Sequence, residues 1–501
     1  MVPQIGGPKI DTIMKRMRWL TMGAMGALAG VTAVCLVACS SGPRHAAVGS
    51  TVARWHFVGA TQLQSQSTAP AVASLLKGTN SGPAGERLAT NLVAALMQRL
   101  GRTDGARMKA ALAPLMLDLM RHESAGDVAT TGWRLKLKLP PERWSAWQNA
   151  RTVLGELSGA TTATVLTYTN GWMSASWGSL SVPDWLSLGN GVFAAEGDLT
   201  RIFDGTASAN WPRVQFGATL EENTVISRAS LDFQQPPLTP LPAWKLPERV
   251  AHAPFSQFTA VRGISQLAAR IDWWREAFAG HPPDQMFWWS QPEVPFRNWM
   301  AVPSTDPTGD LDRLAAAAGK FFGQHGRSGR VAEATNHTAF AILDTLKGLE
   351  PVVTRVKQNA DSFLLGSLYP AARSTNTMSD KLRRLLAAPD LVFQDAEFTP
   401  EAIDHWNVLF QLNQILQSNL PNARNARAHS WMFDNRTLLG DAETTIRVVQ
   451  PKRLVFERKS SFGLTGIEFV MLTRWLDGGD YHPRRSQVPP TPTASPKPAK
   501  P

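Results

Sequence analysis

Cys35 and Cys39 are the chain's only thiols, and the 462 residues that follow Cys39 contain none. Structural disulfides and thiolate metal sites are therefore excluded from the body, which must be held by its own core. Other residues capable of chemistry are present, but at unhelpful spacings. Ser74 and Lys77 match the Ser-x-x-Lys spacing of a serine acyl-transfer enzyme, yet the companion Lys-Thr-Gly is missing and Gly463–Gly466 lacks the lysine. No Gly-x-Ser-x-Gly, Gly-x-x-x-x-Gly-Lys-Ser/Thr or Gly-x-Gly-x-x-Gly occurs, so nucleophile elbows and the familiar phosphate cradles have no support. The ten histidines are dispersed with no His-x-x-x-His pair, and His56 and His405 read as surface or hydrogen-bonded residues, not ligands. Asp306, Asp310 and Asp312 lack the alternate-residue spacing of a calcium loop, and a turn followed by an acidic first helical turn accounts for them. The chain therefore offers no metal site and no cofactor site.

Two further patterns carry weight. Glu142 and Glu401 each follow a proline at the start of a helical stretch, where a carboxylate faces the positive end of the helix dipole. A paired-carboxylate cleft is the alternative, and capping already explains both. Tryptophan is over-used, with 18 Trp against 3 Tyr. Trp288 and Trp289 are adjacent, so in a strand they point to opposite faces and one of them is expected to be exposed. Trp288, Trp289 and Trp299, with Glu293 and Arg297, form the candidate face for a sugar or protein partner.

These residues need a scaffold, and 501 residues suggest more than one core. Residues 53–60 and 133–139 read as strands, the latter alternating so that Lys136 and Lys138 face water. Helical stretches are expected at 83–100, 105–121 and 141–158, then short strands through 161–233. Five prolines in 234–250 mark a boundary. Beyond it, Trp406, Leu409, Leu412, Leu416 and Leu420 form one apolar helical stripe, with Thr399 placed to cap its start. Strands at 443–450 and 453–459 and a helix at 464–476 close the chain.

Two echoes link the halves: 57–63 with 261–267, sharing Gly-x-Thr/Ser-Gln-Leu, and 137–147 with 396–406, sharing Pro-Glu and a later Trp. The expected fold is α+β, a duplicated sheet-plus-helix unit with mostly antiparallel strands. Its first domain covers 53–240 and its second 251–478.

The amino terminus supplies the most specific signal. From Met14, a basic segment (Lys15, Arg16, Arg18) precedes an apolar run from Trp19 to Ala38, the layout of a secretory signal, which leaves Met1 and Met14 both open as the start. The run ends in Leu36-Val37-Ala38-Cys39, which resembles the lipobox of bacterial lipoproteins. The resemblance implies cleavage before Cys39, lipid attachment to its thiol, and departure of Cys35 with signal peptide 1–38. An uncleaved membrane anchor is the alternative, and the small residues at the end of the run favour processing. Two or three acyl chains would anchor stably where one is marginal. Ser40 follows the cysteine where an aspartate would resemble an inner-membrane retention signal, so the implied address is the outer membrane in a cell with two membranes.

Residues 39–52 read as a flexible tether and 479–501 as a disordered, Pro-rich basic tail. The formal charge of +11 permits attraction to anionic surfaces, but the basic residues are scattered, with no nucleic-acid motif. Beyond its lipobox the chain resembles large exported bacterial proteins in layout alone, and no residue role follows from that. The expectation is an envelope lipoprotein, anchored by lipid, that binds or scaffolds an envelope polymer or protein without catalysis. The alternative is an envelope hydrolase or binding protein acting on glycan or peptidoglycan.

Overall fold

Short amphipathic segments separated by tight turns pair, all antiparallel, into one 18-stranded sheet in the computed structural model of the chain. The structure describes residues 51–478 except 67–69, 79–80, 100–104, 130, 158–163, 179, 181–183, 203–209, 239–240, 249, 252, 270, 293–296, 325–329, 334–337, 344–349, 368–377 and 417–426. Residues 1–38, read above as a signal peptide, Cys39 and the segment 479–501, read as a tail, lie outside the described residues. So does the tether up to residue 50, whereas Thr51 and Val52, expected to belong to it, already form the first strand.

The first half contributes β1 (Thr51–Phe57), β2 (Ser124–Ala129), β3 (Gly132–Lys138), β4 (Val165–Thr169), β5 (Trp172–Gly178), β6 (Phe193–Asp198), β7 (Arg213–Glu221) and β8 (Thr224–Asp232). The second contributes β9 (Gln257–Arg262), β10 (Gln285–Ser290), β11 (Asn298–Pro303), β12 (Arg330–Glu333), β13 (Ala339–Leu343), β14 (Val352–Gln358), β15 (Asp361–Ser367), β16 (Leu391–Phe398), β17 (Asp441–Gln450) and β18 (Arg453–Ser460). Their spatial order is 4-5-3-2-1-6-7-8-18-17-16-9-10-11-15-14-13-12. The last strands of the two halves, β8 and β18, pair antiparallel and join them. The two expected domains are thus halves of a single sheet.

The halves share a neighbour pattern. β1 lies between β2 and β6, and β9 lies between β10 and β16. Each central strand runs into a left-handed glycine, Gly59 at φ 90° and Gly263 at φ 75°, which begins the 57–63 and 261–267 echo. The second echo is different. Residues 137–147 follow β3 and residues 396–406 follow β16, whose counterparts by neighbour order are β11 and β6. That pair does not occupy matching places, because Pro-Glu is a general way to open a helix.

Helices cover the core-facing side of the first half: α1 (Ala60–Ser65), α2 (Pro70–Lys77), α3 (Ser81–Arg99), α4 (Gly105–Arg121), α5 (Trp144–Asn149), α6 (Arg151–Leu157) and α7 (Leu199–Ile202). The second half carries α8 (Ser265–Ala268), α9 (Asp272–Ala277), α10 (Pro307–Gln324), α11 (Asp380–Leu386), α12 (Thr399–Leu416), α13 (Arg427–Asn435) and α14 (Gly466–Gly478). The helix expected over 141–158 is a 3-10 turn plus α5 and α6.

One core runs under the joint. Trp55, Phe57, Leu137 and Trp147 share it with Ile403, Trp431, Phe469 and Val470. Two smaller cores lie in the second half, one around Phe258, Phe287 and Trp289, the other around Trp274, Leu311 and Phe340. Among the described residues no helix is long and apolar enough to cross a membrane.

Candidate functional site

A dense group of buried polar residues lies near where the halves meet, beneath α12 and α14. It follows from alternation on β16: Asp395 and Glu397 sit two residues apart and so share a face. In register beside Asp395 stand Thr259 on β9 and Thr444 on β17, followed by Arg458 on β18 and Ser227 on β8. All of these except Thr259 are buried.

Buried polar groups must find partners, and most here do. Asp395 accepts from Thr259 Oγ1 at 2.5 Å and Gln257 Nε2 at 3.2 Å. Glu397 Oε1 accepts from Thr399 Oγ1 at 3.0 Å and from Gly466 N–H, at the first residue of α14, at 2.5 Å. Glu468 Oε2 accepts from Thr465 N–H at 2.9 Å, the carboxylate half of a capping box at the start of α14. The same oxygen accepts from Arg458 Nη1 at 2.7 Å, and Arg458 Nε donates to Thr444 Oγ1 at 2.9 Å. The network pins α14 to the sheet at its N-terminus.

Burial penalises the charged carboxylates here. Desolvation, then the adjacent Asp395, push Glu397 up to about 8, and desolvation raises Asp395 as well. Glu397 Oε2 has no hydrogen-bond partner among the described residues, so its charged form would leave one oxygen without a donor. Nearby, Ser256 Oγ lies 2.8 Å from Ser290 Oγ and 3.5 Å from His405 Nδ1. Desolvation by burial lowers the His405 pKa, against a smaller opposing pull from Asp404. Among the described residues no carboxylate forms an ion pair with His405, so a serine–histidine pair is present without the third group that would orient it.

The expected aromatic face is split across the sheet. Trp289 and Trp299 are opposite one another in β10 and β11, buried in one core and stacked at 6.2 Å and 13°. Trp288 points the other way, half-buried on Trp406 of α12 at 5.9 Å and 17°. Arg297 is half-buried, and Glu293 lies outside the described residues. Adjacent strand residues do point to opposite faces, but here both faces are covered.

The other candidates are placed singly. Ser74 and Lys77 are exposed on α2. Glu142 is exposed in the 3-10 turn after β3, and Glu401 is half-buried in the first turn of α12, eight strand positions away along the sheet. Asp306 accepts from Gly309 N–H at 3.1 Å at the start of α10, and Asp310 pairs with Arg313. His56 bonds Leu186 O and Glu123. Thr399, expected to cap, donates its hydroxyl to Glu397. In α12, Ile403 is buried while Trp406 and Phe410 pack against the core. Leu409 is half-buried, and the side chains of Leu412 and Leu416, with Leu420, are outside the described residues.

A polar groove of about 340 Å³ lies at the start of β1, lined by Arg54, Glu196, Asp198, Arg201 and Arg213. Arg54–Glu196 and Arg201–Asp198 ion pairs occupy its walls. Among the described residues no group of three or more His, Cys, Asp or Glu is disposed to hold a metal ion. No protein-family model, curated protein or solved structure matches the chain.

Proposed function

We propose that this chain is a lipid-anchored envelope protein, attached through Cys39, whose body binds or scaffolds without catalysis. The observation that carries the reading is Leu36-Val37-Ala38-Cys39 at the end of a basic-then-apolar leader, in a chain with no thiol beyond it. In a cell with two membranes the address is the outer one.

The binding reading gains support from the burial of Asp395, Glu397 and Glu468. A glycan hydrolase needs two carboxylates open to substrate at a fixed separation. Glu397 and Glu468 are engaged in holding α14 to the sheet, and Asp395 is engaged with Thr259 and Gln257 on the neighbouring strand.

The architecture is, on this proposal, a duplicated α+β unit. Its supports are the shared neighbour order around β1 and β9, the left-handed Gly59 and Gly263, and the left-handed Asn170 and Asn359 in the β4–β5 and β14–β15 turns.

Growth with a labelled fatty acid tests the anchor. The wild-type protein carries label and sediments with membranes, whereas Cys39→Ser loses the label and leaves the membrane fraction. Label and fractionation unchanged in Cys39→Ser would overturn the proposal.

A further inference from the structure

Strands β3, β5 and β4 end the sheet on one side, and their core-facing residues are settled. Leu137, Met173 and Ala175 are buried, with Leu166 and Tyr168 packed against the same core. By alternation, Lys136, Lys138, Trp172, Ser174, Thr167 and Thr169 face away from it. The pairing aligns them in two rows, Thr169–Trp172–Lys138 and Thr167–Ser174–Lys136. The outer column is hydroxyl, the inner column cationic, and an indole and a hydroxyl lie between them.

Lys138, Thr167 and Thr169 are exposed, and Lys136, Trp172 and Ser174 are half-buried. On the same face Arg134 is paired with Asp127 at 2.5 Å and Arg54 with Glu196. Neither Lys136 nor Lys138 has a carboxylate within ion-pair distance among the described residues. Lys136 Nζ instead sits 4.6 Å over the Trp172 ring. Among the described residues β4 pairs only with β5, so a long ligand could run off that edge without meeting another described strand.

We propose that this face binds a linear acidic polysaccharide. The two lysines, rooted about 7 Å apart along β3, offer neighbouring cations to anionic groups repeated along a chain. The indole offers an apolar plane to a sugar ring, and the threonine and serine hydroxyls can both donate and accept with sugar hydroxyls. A membrane surface fits less well. The chain enters the body at Thr51, in register with Ala129 and Gly132, and Lys138 lies six residues further along β3. At about 3.3 Å per residue that is about 20 Å from where the tether arrives. This inference rests on the anchored-binding reading and gives it a ligand class.

The test uses the full-length chain in detergent micelles, with polygalacturonate as probe and neutral dextran, phosphatidylglycerol vesicles and oligo(dT) as comparisons. Polygalacturonate binds and dextran does not, and the affinity falls as salt rises. The double variant Lys136→Glu/Lys138→Glu weakens binding about tenfold or more. Thr167→Glu/Thr169→Glu, on exposed positions of the neighbouring strand, weakens it similarly with the melting temperature unchanged. Lys77→Glu, an exposed cation on α2, leaves it unchanged. The proposal falls if wild type does not bind polygalacturonate, if Lys77→Glu weakens binding as much as the face variants, or if those variants abolish vesicle or oligo(dT) binding while sparing polygalacturonate. Cys39→Ser should bind the polysaccharide like wild type, so failure of the anchor and failure of this face give different results.

Discussion

Glu397 is a carboxylate buried away from water beside a second one, Asp395. Its pKa is raised from 4.5 to about 8 by desolvation and by Asp395. Between those values the folded state holds a proton that the unfolded chain has released, so stability falls as pH rises through that window. The contribution is flat below about 4.5 and again above about 8. Asp395, also raised, adds a trend of the same sign. Thermal unfolding from pH 5 to 8 should therefore show a declining melting temperature, and Glu397→Gln should make the decline shallower. An unchanged slope in that variant would refute the assignment. At the same scale, Gly126 shows why some strands escape sequence reading. It is opposite Trp55, and a Cβ there would lie 2.0 Å from the indole. The Ser-Ala-Gly-Asp-Val-Ala of β2 is wholly buried yet small and polar, because bulk is supplied from the next strand.

Among elements, α14 depends most on buried polar contacts. Arg458 and Glu468 pair at 2.7 Å with each side chain 4% exposed. Arg458→Leu leaves the Glu468 carboxylate buried without its cation, and an expected cost of about 3–5 kcal/mol can be read from denaturant unfolding. A cost under about 1 kcal/mol would mean that the pair behaves as a surface contact. Sequence patterning identified the elements whose alternation or helical period is clean: β3, β5, β7, β8, β17 and β18, and helices α3, α4 and α14. It missed β2 and left most of β11 to β16 unread: β11 and β16 are buried on both faces for most of their length and lose the alternation that marks a half-exposed strand, and β12 to β14 are half-buried with no clean alternation either. The polar site was equally hidden. Asp395, Thr444, Arg458 and Glu468 come from separate elements, and only the strand register brings them together. The tryptophans misled for a related reason: adjacency in β10 predicts opposite faces, but not that α12 and the core of Trp299 cover both.

At the scale of the molecule, the joining of β8 to β18 explains how a chain of this length is held without a disulfide in its body. Two halves with the same neighbour order bury a common core under α3, α13 and α14, whose contacts include Arg87 with Asp477 and Trp431 Nε1 with Leu75 O at 3.2 Å. The Pro-rich 234–250 run, read as a boundary between domains, links β8 to β9. Trp244 and Leu246 within it pack on the core of the second half, and Arg262 donates to Pro242 O at 2.6 Å. The body has filled cores and, at one end of its sheet, Lys136 and Lys138 beside the half-buried Trp172, and the proposed address rests on lipid attachment at Cys39. The most direct test is mass spectrometry of the amino-terminal peptide of the protein purified from membranes. The account predicts a mature chain beginning at Cys39, with the cysteine carrying a diacylglyceryl group. A chain that retains residues before Cys39, or one with an unmodified Cys39 thiol, would contradict it.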